Sequence, residues 1–301
     1  MRTVVEFRTF LAWSVLGAVT VALTAGGCAP RQSQYEPARP PEPSTTTDPA
    51  DPSGTSERPT EPGAPVAPRA EPARPAASPS VATLALPVEG FGDAVVVAPL
   101  SDEPRPMLIA AHGAGDTPEW QCQHWGPVAR GRFYVLCPRG TPLVRGDDSA
   151  YFYRDHHALE REVVAVVKAA RAKFGGRLAA AGGVYTGYSQ GATMGALMVI
   201  DHGTDFPHLI LVEGGSGEWT LGRAQRYRST GGQSVAIVCG TPGCATRGKS
   251  SQTLLERASL RARVEHAEGG GHTYIGSVGE RATEILETWT APTNQALDTS
   301  R

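Results

Sequence analysis

The chain is predicted to fold as an α/β domain built on a mostly parallel, twisted sheet with helices on both faces. Three observations predict it. Short apolar runs alternate with helical stretches from about residue 82 to residue 289. One small, apolar run, 178–186, passes through Gly187-Tyr188-Ser189-Gln190-Gly191 directly into an Ala/Met/Leu-rich stretch, which reads as strand, tight turn and buried helix. A second apolar run, 107–111, ends in the glycine-rich turn His112-Gly113-Ala114-Gly115-Asp116-Thr117. Alternation of this kind implies parallel strands joined by right-handed helical crossovers.

The elements follow in order. Residues 82–86 and 94–98 supply two leading strands, 107–111 a third, and a helix follows its glycine turn. Then come a strand at 133–138, a helix at 155–174, the strand 178–186 and the helix 190–202. The second half reads as strands at 208–213, 234–239 and 263–267, with helices at 250–261 and 275–289. About 210 residues suit one domain with a sizeable core. No insertion is long enough for a large lid domain, and no internal repeat is present.

Two of these turns carry chemistry. A serine flanked by glycines on a strained strand-to-helix turn has its hydroxyl lifted above the sheet edge, and Cβ atoms beside it would collide with neighbouring backbone. The turn after 107–111 is placed to offer a backbone N–H to a developing oxyanion, the other donor being the amide after the serine. Together, H-G-A-G-D-T and G-Y-S-Q-G-A resemble the α/β-hydrolase esterases, most closely the phospholipase/carboxylesterase branch that includes the acyl-protein thioesterases and carries H-G-x-G-D-T and G-F-S-Q-G at these places. The resemblance covers residues 82–292. It implies an α/β-hydrolase fold, a Ser-Asp-His triad in that chain order, and no cofactor. Ser189 carries over as nucleophile, and Ala114 and Gln190 as oxyanion-hole donors. Asp116 matches the motif and is read as a cap on the following helix.

His272 is the expected general base. It follows Glu268-Gly269-Gly270-Gly271, a glycine loop after the last strand, where this fold presents its histidine. The acid breaks the family pattern. That branch has an aspartate after the strand equivalent to 234–239, but Gly240 to Arg247 contains no acidic residue. Some hydrolases of this fold take the acid from the preceding strand end instead, which makes Glu213 the first candidate and Glu218 the second. Asp155, or a Ser-His dyad with no acid, stays open. Losing the acid costs on the order of 10⁴ in turnover and losing Ser or His roughly 10⁶, so a dyad is tolerable.

The N-terminus is expected to be a lipoprotein-type signal peptide, residues 1–27. Arg2 and Arg8 precede an apolar run, 10–23, and small residues then lead to Cys28, the expected lipidation site. The run is shorter than the roughly 20 residues that span a bilayer. Acyl chains contribute about 0.8 kcal/mol per buried CH₂ and would hold the protein at a membrane. Ordinary secretion is the alternative. Residues 28–80 are Pro-rich and nearly devoid of large apolar side chains, a composition that cannot bury enough surface to fold and reads as an extended tether. Residues 81–292 form the hydrolase domain and 293–301 a disordered tail.

Four further cysteines in an exported chain allow two disulfides with three connectivities. In this fold Cys122 opens the helix after the third strand and Cys137 ends the neighbouring strand. Cys239 and Cys244 would close the loop that lacks the usual acid. The pairs expected are therefore Cys122–Cys137 and Cys239–Cys244. Their spacing is not that of a zinc site, and no metal is expected. With 28 Lys and Arg against 30 Asp and Glu and no basic stripe, nucleic-acid binding is not expected. Trp120, Trp125, Tyr151, Phe152, Tyr153, Tyr188 and Trp219 fall in segments expected at the catalytic edge, where they either line a pocket or pack the core.

The reading that follows is a bacterial cell-envelope lipoprotein cleaving a small-molecule or polymer-linked carboxylic ester. A peptidase on the same fold is one alternative. An inactive hydrolase fold that binds an envelope glycan or protein is the other, and the missing family aspartate is its motive.

Overall fold

The computed structural model describes residues 81–180 and 182–290. The signal peptide, Cys28, the tether and the C-terminal tail expected above lie outside the described residues.

Among the described residues there are ten strands and six α-helices. In chain order the first half is β1 (Val81–Leu86), β2 (Ala94–Pro99), β3 (Met107–Ala111), α1 (Pro118–Ala129), β4 (Tyr134–Cys137), β5 (Thr141–Val144), β6 (Asp147–Phe152) and α2 (His156–Phe174). The second half is β7 (Val184–Tyr188), α3 (Gln190–Met198), β8 (His208–Val212), α4 (Leu221–Ser229), β9 (Ser234–Cys239), α5 (Pro242–Arg257), β10 (Arg261–His266) and α6 (Gly276–Thr290). Eight strands form one sheet in the order β1-β2-β4-β3-β7-β8-β9-β10. At one edge β2 pairs antiparallel with both β1 and β4, and β4, β3, β7, β8, β9 and β10 run parallel. The mostly parallel sheet expected from the sequence is present.

Both sheet faces are dry, so the central strands read as unbroken apolar runs rather than alternating ones. Along β3, Met107, Ile109 and Ala111 pack on one face, with α2, α3, α4 and α5; Leu108 and Ala110 pack on the other, with α1 and α6. Side chains that point to opposite faces every second residue divide between two cores in this way. Leu108, Ile109, Leu136, Leu209 and Ile237 have no solvent exposure, and each contributes about 1.5–3 kcal/mol by burial. Among the described residues no separate lid domain covers the sheet edge, and no helix is long and apolar enough to cross a membrane.

The structure departs from the sequence reading in several places. The strand expected at 178–186 is β7, Val184–Tyr188. The Ala- and Gly-rich stretch before it has little to pack in a pleat, and Gly182 turns with φ +85, a left-handed value. A hairpin, β5–β6, occupies residues read as loop; Gly146 makes its turn at φ +82. Helix α4 was not expected either, because its side chains are largely polar, but Thr220 caps it by accepting from the Arg223 amide. Helix α5 begins at Pro242 rather than at residue 250, with Thr241 as N-cap and proline in the first turn. The cap of α1 is Thr117, whose hydroxyl accepts from the Trp120 amide, and not Asp116. Four of the seven aromatic residues singled out above, Trp125, Tyr151, Tyr153 and Trp219, are buried core.

Both disulfides are present, Cys122–Cys137 and Cys239–Cys244. The first ties α1 to the end of β4 inside the core. The second ties the end of β9 to the first turn of α5, so it clamps a helix start instead of closing a free loop. Replacing Cys122 and Cys137 together by alanine frees a closed loop with a sequence separation of 15 residues. The expected loss is about 3 kcal/mol of unfolding free energy. In a domain of this size that lowers the thermal midpoint by roughly 6–12 °C. Chemical denaturation of the double variant against the parent measures it.

Candidate active site

Ser189 sits between the last residue of β7 and the first residue of α3. Its backbone has φ +49 and ψ −107, a left-handed φ that a side chain rarely adopts. Neighbouring backbone holds it there. The Ser189 amide donates to the Val212 carbonyl at 2.9 Å, and the Ser189 carbonyl accepts from the Thr193 amide at 2.9 Å. Gly191 is required by close approach: a Cβ there would lie 2.5 Å from the Ala111 carbonyl oxygen and 2.6 Å from that of His112. Its amide donates to the His112 carbonyl at 3.1 Å, which joins the turn after β3 to the serine turn.

Glu213 follows β8 directly and, like Ser189, has a left-handed φ, +50. That conformation turns its side chain along the sheet edge toward β9. Its carboxylate is buried and fully used. Oε1 accepts from the amides of Gly240 at 2.5 Å and Thr241 at 2.8 Å. Oε2 accepts from the Thr241 hydroxyl at 3.0 Å and lies 2.9 Å from His272 Nδ1. The other ring nitrogen, Nε2, is 2.9 Å from Ser189 Oγ. A carboxylate only accepts, so Nδ1 carries the proton and Nε2 is free to accept from the serine hydroxyl. Three groups separated by 59 and 83 residues thus form one hydrogen-bonded line.

The other acidic candidates lie elsewhere. Asp155 caps α2, accepting from the Ala158 amide at 2.8 Å, and the Glu218 carboxylate accepts from the Gly217 amide at 2.9 Å on an exposed loop. Thr241 escaped the sequence reading. A Thr-Pro pair after an apolar strand signals a helix start. Nothing local says that the same hydroxyl will bond a carboxylate 28 residues upstream.

The turn carrying Ala114 lies over the serine. A Cβ on Gly113 would stand 2.9 Å from the Tyr188 ring and 3.4 Å from Ser189 Cβ. The turn is tied to β6 by the Gly115 amide donating to the Tyr151 carbonyl at 2.8 Å and the Tyr151 amide donating to the Asp116 carbonyl at 2.9 Å. Gln190 is the first residue of α3, where amides have no intrahelical partner, and its side-chain oxygen accepts from the Tyr153 amide at 2.8 Å. Ala114 and Gln190 therefore flank the serine on the same edge.

His112 is a buried support of this turn. Its ring stacks on Tyr153 at 4.6 Å, and its nitrogens lie 2.7 Å and 2.8 Å from the Gly113 and Arg139 carbonyl oxygens. Burial dominates and pushes its pKa down, against the two carbonyls and Asp116 and Glu119, which push it up. Glu162, buried on α2, accepts from the Arg139 and Gly140 amides at 2.8 and 2.9 Å, and burial pushes its pKa up. Asp116 accepts from the Thr117 amide at 2.8 Å and from the Gln121 side chain at 3.3 Å, so it braces the start of α1 from one residue before the cap.

Among the described residues one group of potential metal ligands stands close together, Glu213, Cys239 and Cys244. The two cysteines are joined to each other, and the carboxylate is engaged by His272, so the donor set does not suit a cation.

No protein-family model and no curated protein matches the sequence. Solved structures match the fold. TT1662 from Thermus thermophilus superposes with a TM-score of 0.55 at 17% identity, over 70% of this chain and 99% of that one. A predicted CIB-like hydrolase from Thermoplasma acidophilum gives 0.52 at 18%, over 69% and 98%. The dienelactone hydrolase-like promiscuous phosphotriesterase P91 from metagenomic libraries gives 0.52 at 14%, over 69% and 96%. At these identities the likeness is one of fold, and the described domain has the α/β-hydrolase fold.

Gly240 tests how tightly the histidine loop is seated. A Cβ there would lie 2.2 Å from the Gly271 carbonyl oxygen, and the Gly271 amide donates to the Gly240 carbonyl at 3.1 Å. Gly240→Ala is expected to push residues 268–274 off the sheet edge while the core stays folded. Hydrogen exchange should then speed up in that loop by at least an order of magnitude without a matching change in β7 or β8.

Proposed function

We propose that this protein is a serine hydrolase of carboxylic esters. The observation that carries the reading is the unbroken line from the Glu213 carboxylate through the His272 imidazole to the Ser189 hydroxyl, with both links at 2.9 Å. His272 accepts the hydroxyl proton at Nε2 as Ser189 Oγ bonds to the ester carbonyl carbon. The carbonyl oxygen takes the negative charge and is held by the Ala114 and Gln190 amides. The imidazolium, steadied by Glu213 at Nδ1, returns its proton to the leaving alcohol as the C–O bond breaks, leaving an acyl-serine. Water then repeats the sequence, releasing the acid and restoring the serine. Each oxyanion donor contributes roughly 10²–10³ in turnover.

The surroundings fit an open site rather than a deeply enclosed one. The His272 side chain is 53% exposed, so an ester carried on a polymer can approach as readily as a small one. Two of the structural neighbours are hydrolases by name, one CIB-like and one dienelactone hydrolase-like. An inactive binding fold would have no use for a carboxylate satisfied on every side and aimed at the histidine. The sequence features before residue 81 add the second half of the proposal: export, lipidation at Cys28 and attachment to the cell envelope.

A fluorophosphonate ester should label the wild type at Ser189. Ser189→Ala and His272→Ala should each abolish labelling and ester turnover in folded protein, a loss on the order of 10⁶. Activity above about 1% of wild type in Ser189→Ala would put the nucleophile elsewhere. Glu213→Gln keeps the size of the side chain and removes its charge; turnover should fall by roughly 10³–10⁴ with little change in KM.

For the anchor, Cys28→Ser is expected to move the protein from the membrane fraction to the soluble one. A mutant that still sediments with membranes, beside a wild type carrying no acyl mass, would refute lipidation at this residue.

A further inference from the structure

His272 stands on a loop with little else to hold it. The loop runs from 267 to 275 between β10 and α6, and three successive glycines, Gly269 to Gly271, precede the histidine. Glycine runs lose the most conformational freedom when ordered, so such a loop needs anchors. Two of its backbone hydrogen bonds are internal: Gly270 N–H to the Ala267 carbonyl, and Thr273 N–H to the Gly271 carbonyl. At its two ends the Ala267 amide donates to the Cys239 carbonyl and the Ile275 carbonyl accepts from the Gly279 amide, and two more bonds tie the loop beside the histidine. One is Gly271 N–H to the Gly240 carbonyl. The other comes from the residue before the serine: the Tyr188 hydroxyl donates to the His272 carbonyl at 2.9 Å.

Tyr188 is the last residue of β7, and its ring touches both the turn at Gly113 and the loop that carries His272. It fills the space that a Cβ on Gly113 would need, at 2.9 Å. It lies 4.7 Å from the Tyr274 ring and 5.3 Å from the His272 ring, centroid to centroid. Burial, with Asp116 and Glu213 nearby, pushes the phenol pKa up, so the hydroxyl stays a donor throughout the neutral range. The related motif quoted above has phenylalanine at this place. A phenylalanine there keeps the ring and lacks the hydroxyl.

The geometry points to Tyr188 as the positioning residue of the general base: its hydroxyl fixes the His272 backbone so that the imidazole stays in line between Glu213 and Ser189. This rests on the serine-hydrolase reading. A phenylalanine keeps the ring contacts with Gly113, Tyr274 and His272 and removes one bond, so the loop spends less time aligned while the fold is unchanged. A backbone-anchoring hydrogen bond of ordinary strength corresponds to about a 2- to 13-fold change in the equilibrium between the aligned and the misaligned loop.

The test compares wild type, Tyr188→Phe and Ser189→Ala on one chromogenic ester and one fluorophosphonate. In Tyr188→Phe, kcat and the fluorophosphonate labelling rate should both fall about 2- to 13-fold, with KM within two-fold and the thermal midpoint within about 2 °C. Amide exchange should quicken at residues 272–274. A kcat within two-fold of wild type, in an enzyme whose activity Ser189→Ala abolishes, overturns the role of Tyr188 and leaves the serine mechanism standing. A raised KM with unchanged kcat would make Tyr188 a substrate contact and also overturns it. Full activity in Ser189→Ala would instead remove the reading on which the inference rests.

Discussion

The site depends on the register of three parallel strands. Tyr188 on β7 is level with Val212 on β8, and Val212 is level with Val238 on β9. The next residues, Ser189, Glu213 and Cys239, therefore stand flush with one another at the sheet edge. Two ladder bonds continue this register past the strand ends: Ser189 N–H to the Val212 carbonyl, and Glu213 N–H to the Val238 carbonyl. A slip of one residue would turn each side chain to the other face and dissolve the line. Because both faces of the sheet are buried, such a slip would also expose apolar surface along the full length of a strand.

Flush strand ends alone would not produce a site, since an ordinary turn sends each side chain away. Ser189 and Glu213 instead take left-handed backbone conformations, which cost on the order of 1–3 kcal/mol each. The surroundings over-determine them. Gly191 lets α3 approach the carbonyls of Ala111 and His112, and four donors converge on the Glu213 carboxylate. That carboxylate also lies at the start of α5, where the helix dipole favours negative charge. The Cys239–Cys244 disulfide spans Gly240 and Thr241, whose amides hold Glu213, and so fixes the donors covalently from both sides.

Rigidity is uneven around the site. The serine and the acid stand on strand ends inside a close-packed core, whereas the histidine stands on a glycine loop with half of its side chain in solvent. The turn bearing Ala114 is intermediate: it is braced from below by buried His112 and laterally by β6. With no lid domain over the edge among the described residues, alignment of the histidine relies on the few bonds that tie its loop to Cys239, Gly240, Tyr188 and Glu213.

Some of this was legible in the sequence alone, for local reasons. The glycines around Ser189, the turn at His112–Thr117, the glycine loop before His272 and the pairing of four cysteines are short-range patterns, each with its own steric or chemical cause. The resemblance left the acid open between Glu213, Glu218, Asp155 and none, because no carboxylate stands between Cys239 and Arg247, where the related branch has its aspartate. Tertiary structure decided the rest. Which carboxylate faces His272 depends on strand register and on the left-handed turn of Glu213, and neither leaves a mark on the residue itself. The β5–β6 hairpin and α4 are too polar for hydrophobic periodicity to reveal, and burial of Trp125, Tyr151, Tyr153 and Trp219 is settled by what packs on them. A sequence constrains each segment through its own neighbours. The contacts that make this site span 28 to 84 residues, and only the packed sheet brings those partners within hydrogen-bond reach.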